Sequence, residues 1–472
     1  MGREYNPWGV FLLVGTGVFM CTLDSSIVNI ALPVIMKELN TSLAVVQWVV
    51  AIYLLTVSSL LLSFGRLSDI RGRRRVVNAG FIIFSAGSVC CAMAGSVGGL
   101  IASRALQGVG AAMIMACSPA LIVDAFPVSS RGRALGLVGA VVALGLTAGP
   151  ALGGILLSWF SWRAIFYINV PIGLVAAFWA AWLLKGGRAD AVNDEPFDLP
   201  GALLLTVCLG AFLLALMQGY AWGYTSVPVM GLFLLLIACL GALVRVERRV
   251  AYPVIAVSLF ANKLFSLSIL SAVLLFSALF SMVFLMPFYL MIPCGLSPRQ
   301  AGFMMMVPFL FLFVLSPFSG WLSDRIGSRF LCTLGLLLLT VGLLLLAGIS
   351  PVTHLGAVAF CLAFSGIGVA FFISPNSAAA MGAVPVRHRG LASGMVATAR
   401  NFGMVSGVAL AGAIFNGSFR AASGGVALSA YGPEHAGFFM AAFRLAMISG
   451  AVVAALGTVA ASLRGRRWFG GC

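Results

Sequence analysis

Two ionisable side chains, Asp24 and Arg104, stand inside long apolar stretches of the sequence. Placing a charge within a bilayer is costly, so such a residue is by default a functional-site hypothesis. A buried carboxylate can take up and release a proton, or it can bind a cation in turn. In the other interpretation, Asp24 is a structural acid that stays locked to Arg104. We expect the two side chains to pair, because each is costly alone, and we predict that Asp24 is the group that exchanges protons.

A basic loop after the second apolar stretch carries another charged cluster, which runs from Gly65 through Asp69 to Arg73. We expect Gly65 to permit close helix contact and Arg73 to bind an acid. The candidate acid is Asp124, at the end of the fourth apolar stretch. The loop could serve only to set the membrane topology, because basic loops face the cytoplasm. A recurrence of its pattern later in the chain favours the other interpretation, a gating latch.

That recurrence consists of Gly320 and Asp324, which have the spacing of Gly65 and Asp69. Each Gly–Asp pair lies at i, i+4 and therefore on one helix face. The repeat predicts two six-helix bundles with two extra helices inserted between them. The predicted boundaries are an N-terminal bundle over 1–184, linkers and inserted helices over 185–263, and a C-terminal bundle over 264–472. In many secondary transporters with such repeats, the substrate site lies near the midplane between the halves.

The fifth apolar stretch contains the string Gly145-Leu-Thr-Ala-Gly149-Pro150-Ala-Leu-Gly153-Gly154. Gly145, Gly149 and Gly153 lie at i, i+4 and i+8, so they share one helix face. Small residues on such a face allow the backbones of two membrane helices to approach closely. Pro150 removes a helical hydrogen bond and is expected to bend the helix. A GxxxG pair alone is weak evidence, whereas the full string is specific.

Several other polar side chains within the apolar stretches are candidates for lining a substrate cavity. Arg400 lies about ten residues into its stretch, where it could anchor backbone carbonyls or face the cavity. The complete set of cavity candidates is Asn29, Gln47, Tyr53, Gln107 and Arg400.

Composition identifies the elements that must hold these residues. The chain is 61% hydrophobic and 8% charged over 472 residues, with a mean hydropathy of +1.11, which excludes an ordinary soluble domain. About 20 apolar residues span a hydrocarbon core ~30 Å thick. Fourteen such stretches occur, and we predict helices near 8–34, 45–65, 76–97, 99–123, 134–158, 163–184, 199–218, 227–247, 264–290, 299–322, 330–349, 354–380, 390–416 and 436–462.

The net charge of +16 invites a nucleic-acid interpretation, but its distribution argues against one. With an even number of helices and both termini inside, most of the 28 Lys and Arg residues fall in cytoplasmic loops. This bias is the positive-inside rule. It predicts a multi-pass protein with both termini cytoplasmic. The first helix is too long for a cleaved signal peptide and should remain as an anchor.

Together these strings resemble the major facilitator superfamily, and more narrowly its fourteen-helix drug:proton antiporter family. The resemblance covers nearly the whole chain and implies an all-α membrane protein, with two six-helix bundles of the major facilitator type and two inserted helices. By that resemblance, Asp24 is the helix-one acid, Arg104 is the helix-four arginine, Gly149-Pro150 is the antiporter motif and Asp69 belongs to the gating motif. Further matching segments are Trp162–Gly173, Phe197–Gly201 and Arg389–Gly394.

The resemblance also implies a function. The chain is expected to reside in the cytoplasmic (inner) membrane and to export lipophilic, often cationic, drugs or toxic compounds in exchange for protons by alternating access. Its partners would be a small-molecule substrate, the proton and membrane lipids, with no nucleic acid, no metal and no cofactor, and it would act as a monomer. No nucleotide-binding loop of the GxxxxGK[ST] kind occurs, so an ion gradient rather than ATP is the expected energy source.

Three alternatives stay open at this stage. The intramembrane arginines would suit an exporter of a native anionic or zwitterionic metabolite or lipid. An intramembrane enzyme would need a nucleophile–base pair or a metal cluster at depth, and only one deep acid is present. A channel fits less well, because the internal repeat and the helix-five string are typical of rocking bundles. We therefore expect a transporter with no catalytic residues.

Overall fold

The structure is a computed structural model that describes residues 6–127, 130–185, 198–247, 249, 257–385 and 389–464. Within these ranges, every regular element is helical, and fourteen helical spans are long and apolar enough to cross a membrane. The predicted helix count is therefore confirmed for the described residues. Most of the polar linkers that flank the inserted helices, and the motif residues just before Asp198, lie outside the described ranges.

The helices are numbered in chain order. Their bounds are α1 Pro7–Glu38, α2 Leu43–Arg71, α3 Arg73–Met93, α4 Val97–Ala125, α5 Arg131–Trp159, α6 Ala164–Tyr167, α7 Asn169–Leu183, α8 Leu199–Trp222, α9 Val227–Glu247, α10 Lys263–Met291, α11 Pro298–Ile326, α12 Ser328–Ala347, α13 Leu355–Gly382, α14 Arg389–Ala422 and α15 Ala436–Ser462. Helices α6 and α7 together form the sixth span, with Ile168 between them.

The prediction differs most from the structure at helix ends. Helix α2 was expected to end near residue 65 and instead continues to Arg71. Apolar composition marks only the part of a helix that matches the hydrocarbon core, whereas backbone hydrogen bonding can continue into polar sequence. The helix stops at Gly72, whose φ of 89° is a left-handed conformation that favours glycine.

The repeated Gly–Asp pattern has a matching backbone turn in each half. Gly72 follows Asp69 by three residues, and Gly327 follows Asp324 by three residues. Both glycines have φ of 89°, and a new helix begins directly after each of them. The sequence repeat is therefore also a repeat of local structure.

The chain divides into two compact units. Unit 1 contains Met1–Ile255 and Ser297–Phe303, and unit 2 contains Ala256–Leu296 and Met304–Cys472. The inserted helices α8 and α9 thus belong to the unit that holds α1–α7. The predicted three-part boundaries over 1–184, 185–263 and 264–472 stay a prediction.

Within unit 1, α1 is the central helix. It packs against α5, α4, α7 and α2, and 89% of its most apolar window is buried inside the protein. Helix α9 is the opposite extreme, with 11% of its window buried. Apolar side chains such as Val227, Leu234 and Ile237 on α9 are exposed, as expected where lipid rather than protein is the neighbour.

The contact between α1 and α5 has a counterpart within unit 2, between α10 and α14. In unit 1, the Ser26 hydroxyl donates to the Gly145 carbonyl at 3.2 Å. In unit 2, Ser277 donates to the Gly403 carbonyl at 3.0 Å, and Ser281 donates to the Gly407 carbonyl at 3.2 Å. Each contact is a serine on one helix that meets a glycine-lined face on another. The second of these faces was not predicted from the sequence.

Candidate functional site

The Asp24 carboxylate lies midway along α1 and is completely buried. Three hydrogen-bond donors from other helices converge on it. Arg104 donates from Nη1 to Oδ2 at 2.5 Å, Gln107 donates from Nε2 to Oδ1 at 2.8 Å, and Asn169 donates from Nδ2 to Oδ1 at 3.0 Å. A carboxylate that accepts from three donors is arranged for its ionised form. The predicted pairing of Asp24 with Arg104 is present.

Arg104 is held from three sides and is as fully buried as Asp24. Its Nε donates to the Val49 carbonyl of α2 at 3.0 Å, and its Nη1 also donates to Gln107 Oε1 at 2.6 Å. The guanidinium lies 4.1 Å from the centre of the Tyr53 ring, a cation–π contact that suits a desolvated cation. Arg104 therefore does not extend to the lipid headgroups.

Within the described part of the chain, the surroundings of this pair are otherwise uncharged. Tyr53 donates its hydroxyl to the Cys21 carbonyl at 3.1 Å, and Cys91 lies 3.6 Å from Gln107 Oε1. The cluster therefore contains one negative and one positive charge with no water-exposed surface. Removing one member of such a pair leaves an uncompensated buried charge and is much more costly than removing both.

Two members of the cluster, Asn169 and Ser88, were missed as site residues. Asn169 opens α7 and Ser88 lies in α3, so Asn169 reaches Asp24 and Ser88 reaches Gln107 only through tertiary packing. The sequence signal for Asn169 was that it is a single polar residue within the apolar segment Ile-Asn169-Val-Pro. That segment contributed to the family resemblance, but Asn169 was not assigned a role. Gln107, a predicted cavity residue, contacts Asp24 within this cluster, and its role in lining a cavity stays a prediction.

Tyr53 is a cavity candidate that contacts Arg104 within this cluster, whereas the remaining candidates lie apart from it. Asn29 and Gln47 are buried, and each donates its amide to a carbonyl of its own helix, Ser25 at 2.9 Å and Ala44 at 3.2 Å. Their side-chain oxygens have no hydrogen-bond partner among the described residues. Arg400 lies in α14 of unit 2, and its Nε likewise has no partner there. Their role in lining a cavity stays a prediction.

The glycine-rich string of α5 packs directly onto α1, on either side of Asp24. A Cβ added to Gly145 would collide with Thr22, one added to Gly149 would collide with the Ser26 hydroxyl, and one added to Gly153 would lie 2.5 Å from Ile30. All three glycines face α1, so they share one helix face as their spacing predicted. Gly154 and Pro150 are buried as well, and α5 stays helical through Pro150.

The basic loop of unit 1 holds a three-residue ion cluster. Arg73 begins α3 and donates to Asp69 Oδ1 from Nη2 at 2.9 Å and from Nε at 3.3 Å, and it also pairs with Asp124 at the end of α4. Three helix ends are joined in this way. The predicted partner of Arg73 is therefore confirmed, and the side chains remain partly exposed to solvent.

The two copies of the repeated Gly–Asp motif differ in their contacts. A Cβ on Gly65 would meet nothing within 4 Å, so the expectation that Gly65 permits close helix contact is wrong for this structure. A Cβ on Gly320 would lie 2.9 Å from the Ser374 hydroxyl, so close contact is found only at the second copy. Asp324 is exposed and forms no ion pair with any described residue, because Ser328 occupies the place of Arg73.

Comparison with known proteins now decides the family. The model of the Major Facilitator Superfamily matches residues 14–408, which covers most of the chain and includes the Asp24 cluster, the ion cluster and the helix-five string. The chain belongs to this superfamily. It is therefore a transporter and a multi-pass membrane protein, and the predicted fold class is confirmed.

Curated relatives agree on transport but differ in their named substrates. The chain is 36% identical to the riboflavin transporter RibZ of Clostridioides difficile over 411 residues, covering 87% of this chain and 88% of that protein. It is 35% identical to the multidrug resistance protein Stp of Mycobacterium tuberculosis over 407 residues, covering 85% and 75%. It is 29% identical to the tetracenomycin C resistance and export protein of Streptomyces glaucescens, covering 88% and 77%.

A solved structure supports the fold. The crystal structure of a bacterial homologue of the human lysosomal transporter Spinster matches with a TM-score of 0.70 over 98% of both chains. The two sequences are 16% identical, so this similarity concerns the fold alone.

Proposed function

We propose that this transporter is a proton-coupled antiporter that exports lipophilic, often cationic compounds by alternating access. The observation that carries the proposal is the buried Asp24–Arg104 pair. A carboxylate with no exposed surface and a single counter-ion can change charge only by binding a proton, and that change alters its bond to Arg104. Relatives named for multidrug resistance and antibiotic export support the substrate class. In the cell, the transporter would lie in the inner membrane with both termini cytoplasmic.

A second substrate class is favoured by one comparison. The relative named as a riboflavin transporter is 36% identical, and the similarity extends over most of both chains. A native metabolite of the flavin type is therefore the alternative cargo. A transport assay that compares riboflavin with monovalent lipophilic dyes would distinguish the two classes. The preferred class should show saturable uptake, and it should inhibit any uptake of the other class when both are present.

Coupling through one carboxylate predicts electroneutral exchange. Among the described acids, only Asp24 lies far from the ends of the membrane spans, so about one proton should be exchanged per cycle. Exchange of one proton for one monovalent cation such as ethidium moves no net charge. Uptake into proteoliposomes should follow an imposed pH gradient and respond little to membrane potential.

The measurement separates the two driving forces by clamping each in turn. Moving one net charge is worth ~2.3 kcal/mol per 100 mV, which corresponds to about a fifty-fold change in the accumulation ratio. A response of that size with ethidium would contradict one-for-one exchange.

The dication methyl viologen should be a poor substrate, because α11 contains no acid between Phe303 and Trp321. Its efficient transport would show that further acidic groups take part.

The ion cluster at Asp69, Arg73 and Asp124 is proposed to be the gating latch, because it ties together three helix ends that must separate if the transporter opens there. Asp124→Arg should impair transport strongly by placing like charges together. Adding Arg73→Asp should restore transport in part, with a coupling energy of about 0.5–3 kcal/mol between the two positions. The pair is partly exposed, so its effect should weaken at high salt.

The matched control for the latch is Arg75→Asp, because Arg75 is an exposed neighbour of the same charge with no ion pair among the described residues. Its reversal changes the charge of the loop without touching the latch and should leave most transport activity. Simple additivity of the Asp124 and Arg73 substitutions would exclude a latch between them.

A further inference from the structure

The side-chain amide of Asn169 is bonded on one side only. Its Nδ2 donates to Asp24 Oδ1 at 3.0 Å, while its Oδ1 is buried and has no hydrogen-bond partner among the described residues. Asn169 has no exposed surface, so solvent does not satisfy this oxygen. A buried acceptor without a partner costs free energy and is uncommon in native proteins. Among the described residues, the Asp24 carboxylate is therefore the only hydrogen-bond partner that fixes the orientation of this amide.

The neighbouring amide of Gln107 is fixed from three directions. Its Oε1 accepts from Arg104, and its Nε2 donates both to Asp24 and to the Ser88 hydroxyl at 2.9 Å. Ser88 in turn donates its own proton to the Phe84 carbonyl at 2.8 Å, so it can only accept from Gln107. Rotating the Gln107 amide would oppose its oxygen to two acceptors and its NH₂ group to a cation. Gln107 can therefore only donate to Asp24.

We propose that Asn169 is a positioning residue that changes from donor to acceptor when Asp24 is protonated. This inference rests on the proposed function, in which Asp24 takes up a proton. A protonated carboxyl group needs an acceptor for its O–H, and Arg104 can only donate. Rotation of the Asn169 amide by about half a turn puts Oδ1 in the place of Nδ2. The Asp24 O–H then donates to that oxygen, while Arg104 keeps its bonds to Val49 and Gln107.

Among the described residues, no other ionisable group is placed to take this role. The ionisable side chains whose charges act on or are acted on by Asp24 are Arg104 of α4, Tyr53 of α2, Cys21 of α1 and Cys91 of α3. Helix α7 has no ionisable residue, and α5 has them only in its first turn. Tyr53 already donates to a backbone carbonyl.

The location of Asn169 gives the change a structural consequence. Asn169 is the first residue of α7 and follows the break at Ile168, so its side chain links the charge on α1 to the junction between α6 and α7. A change in the protonation of Asp24 on α1 thereby changes the hydrogen bonding of Asn169 at the start of α7.

The test is infrared difference spectroscopy of the full-length transporter in proteoliposomes, recorded as the pH is lowered. A protonated carboxyl band that is present in the wild type and absent from Asp24→Asn is the Asp24 signal. In Asn169→Leu, which has a similar shape without polar atoms, this band should move to higher frequency, because the O–H has lost its acceptor. The pH at which the band is half-developed should move little, because Asn169 contributes a hydrogen bond to both states.

A residue that only donates predicts the opposite pattern. Its loss would leave the band frequency unchanged and would move the half-development point to higher pH by about one to two units, because only the ionised form would lose a bond. That pattern overturns the amide change while leaving proton uptake at Asp24 intact. Absence of any carboxyl band that depends on Asp24 overturns both proposals.

Two further variants keep the result interpretable. Asn169→Val also lacks polar atoms but is smaller, and it should show the same frequency shift if the leucine variant does not reach the membrane. Gln107→Leu removes a group that can only donate to Asp24 and should produce the pattern of a donor, with a moved half-development point and an unshifted band. If the Asn169 and Gln107 variants behave alike, the distinction drawn between the two amides is wrong.

Discussion

Asp24→Asn should reduce uptake driven by a pH gradient to the level of protein-free liposomes. The reason is that the neutral amide cannot bind and release a proton, and no other acid of the described chain lies deep within the membrane spans. Exchange of labelled for unlabelled substrate across the membrane, which needs no proton, should persist if the fold is intact. Full pH-driven uptake by this variant would contradict the assignment of Asp24.

The geometry around Asp24 determines the controls. The substitution leaves Arg104 as an uncompensated buried cation, which is expected to cost about 3–5 kcal/mol of stability. The double variant Asp24→Asn with Arg104→Gln removes both charges and should regain much of that stability without regaining pH-driven uptake. Thermal unfolding in detergent measures the first effect and vesicle uptake measures the second. Glu434→Gln removes an exposed carboxylate and is the matched control.

Gly149→Val should destabilise the α1–α5 contact and abolish most transport. Any Cβ at this position collides with the Ser26 hydroxyl, and Ile27 N would lie 3.0 Å away, so α1 would have to shift. Overpacking of a buried contact usually costs 1–3 kcal/mol, and the hydrogen bond from Ser26 to the Gly145 carbonyl would also be strained. Because α1 carries Asp24, the displacement should reach the Asp24 cluster.

The same helix supplies a control for this prediction. A Cβ on Gly139 would meet nothing within 4 Å, so Gly139→Val tests the effect of a β-branched residue in α5 without the collision. Ser26→Gly combined with Gly149→Ala should recover stability relative to Gly149→Ala alone, because the nearest colliding atom is removed. Unfolding temperatures that are equal for the valine variants at 149 and 139 would show that the close approach is not required.

The sequence by itself determined the features that depend on local composition and on the cost of burying charge. Fourteen apolar runs predicted fourteen spans, because a bilayer requires each crossing to satisfy its backbone in a helix of sufficient length. The pairing of Asp24 with Arg104 followed from the cost of leaving either charge alone in an apolar medium. The glycine face of α5 followed from helical spacing, which assigns residues to one side without reference to any partner.

Only the tertiary structure decided which distant residues complete the site. Asn169 bonds to Asp24 and Ser88 bonds to Gln107 from separate helices, and no spacing along the chain relates them. The α14 glycines that face α10 became visible only through the serines that bond to them. Gly65, by contrast, was expected from its sequence motif to lie in a close helix contact, but the structure has open space beside it. The physical reason is that hydropathy defines where each helix lies along the membrane normal, whereas rotation about its axis and choice of neighbours depend on side-chain packing over the whole unit.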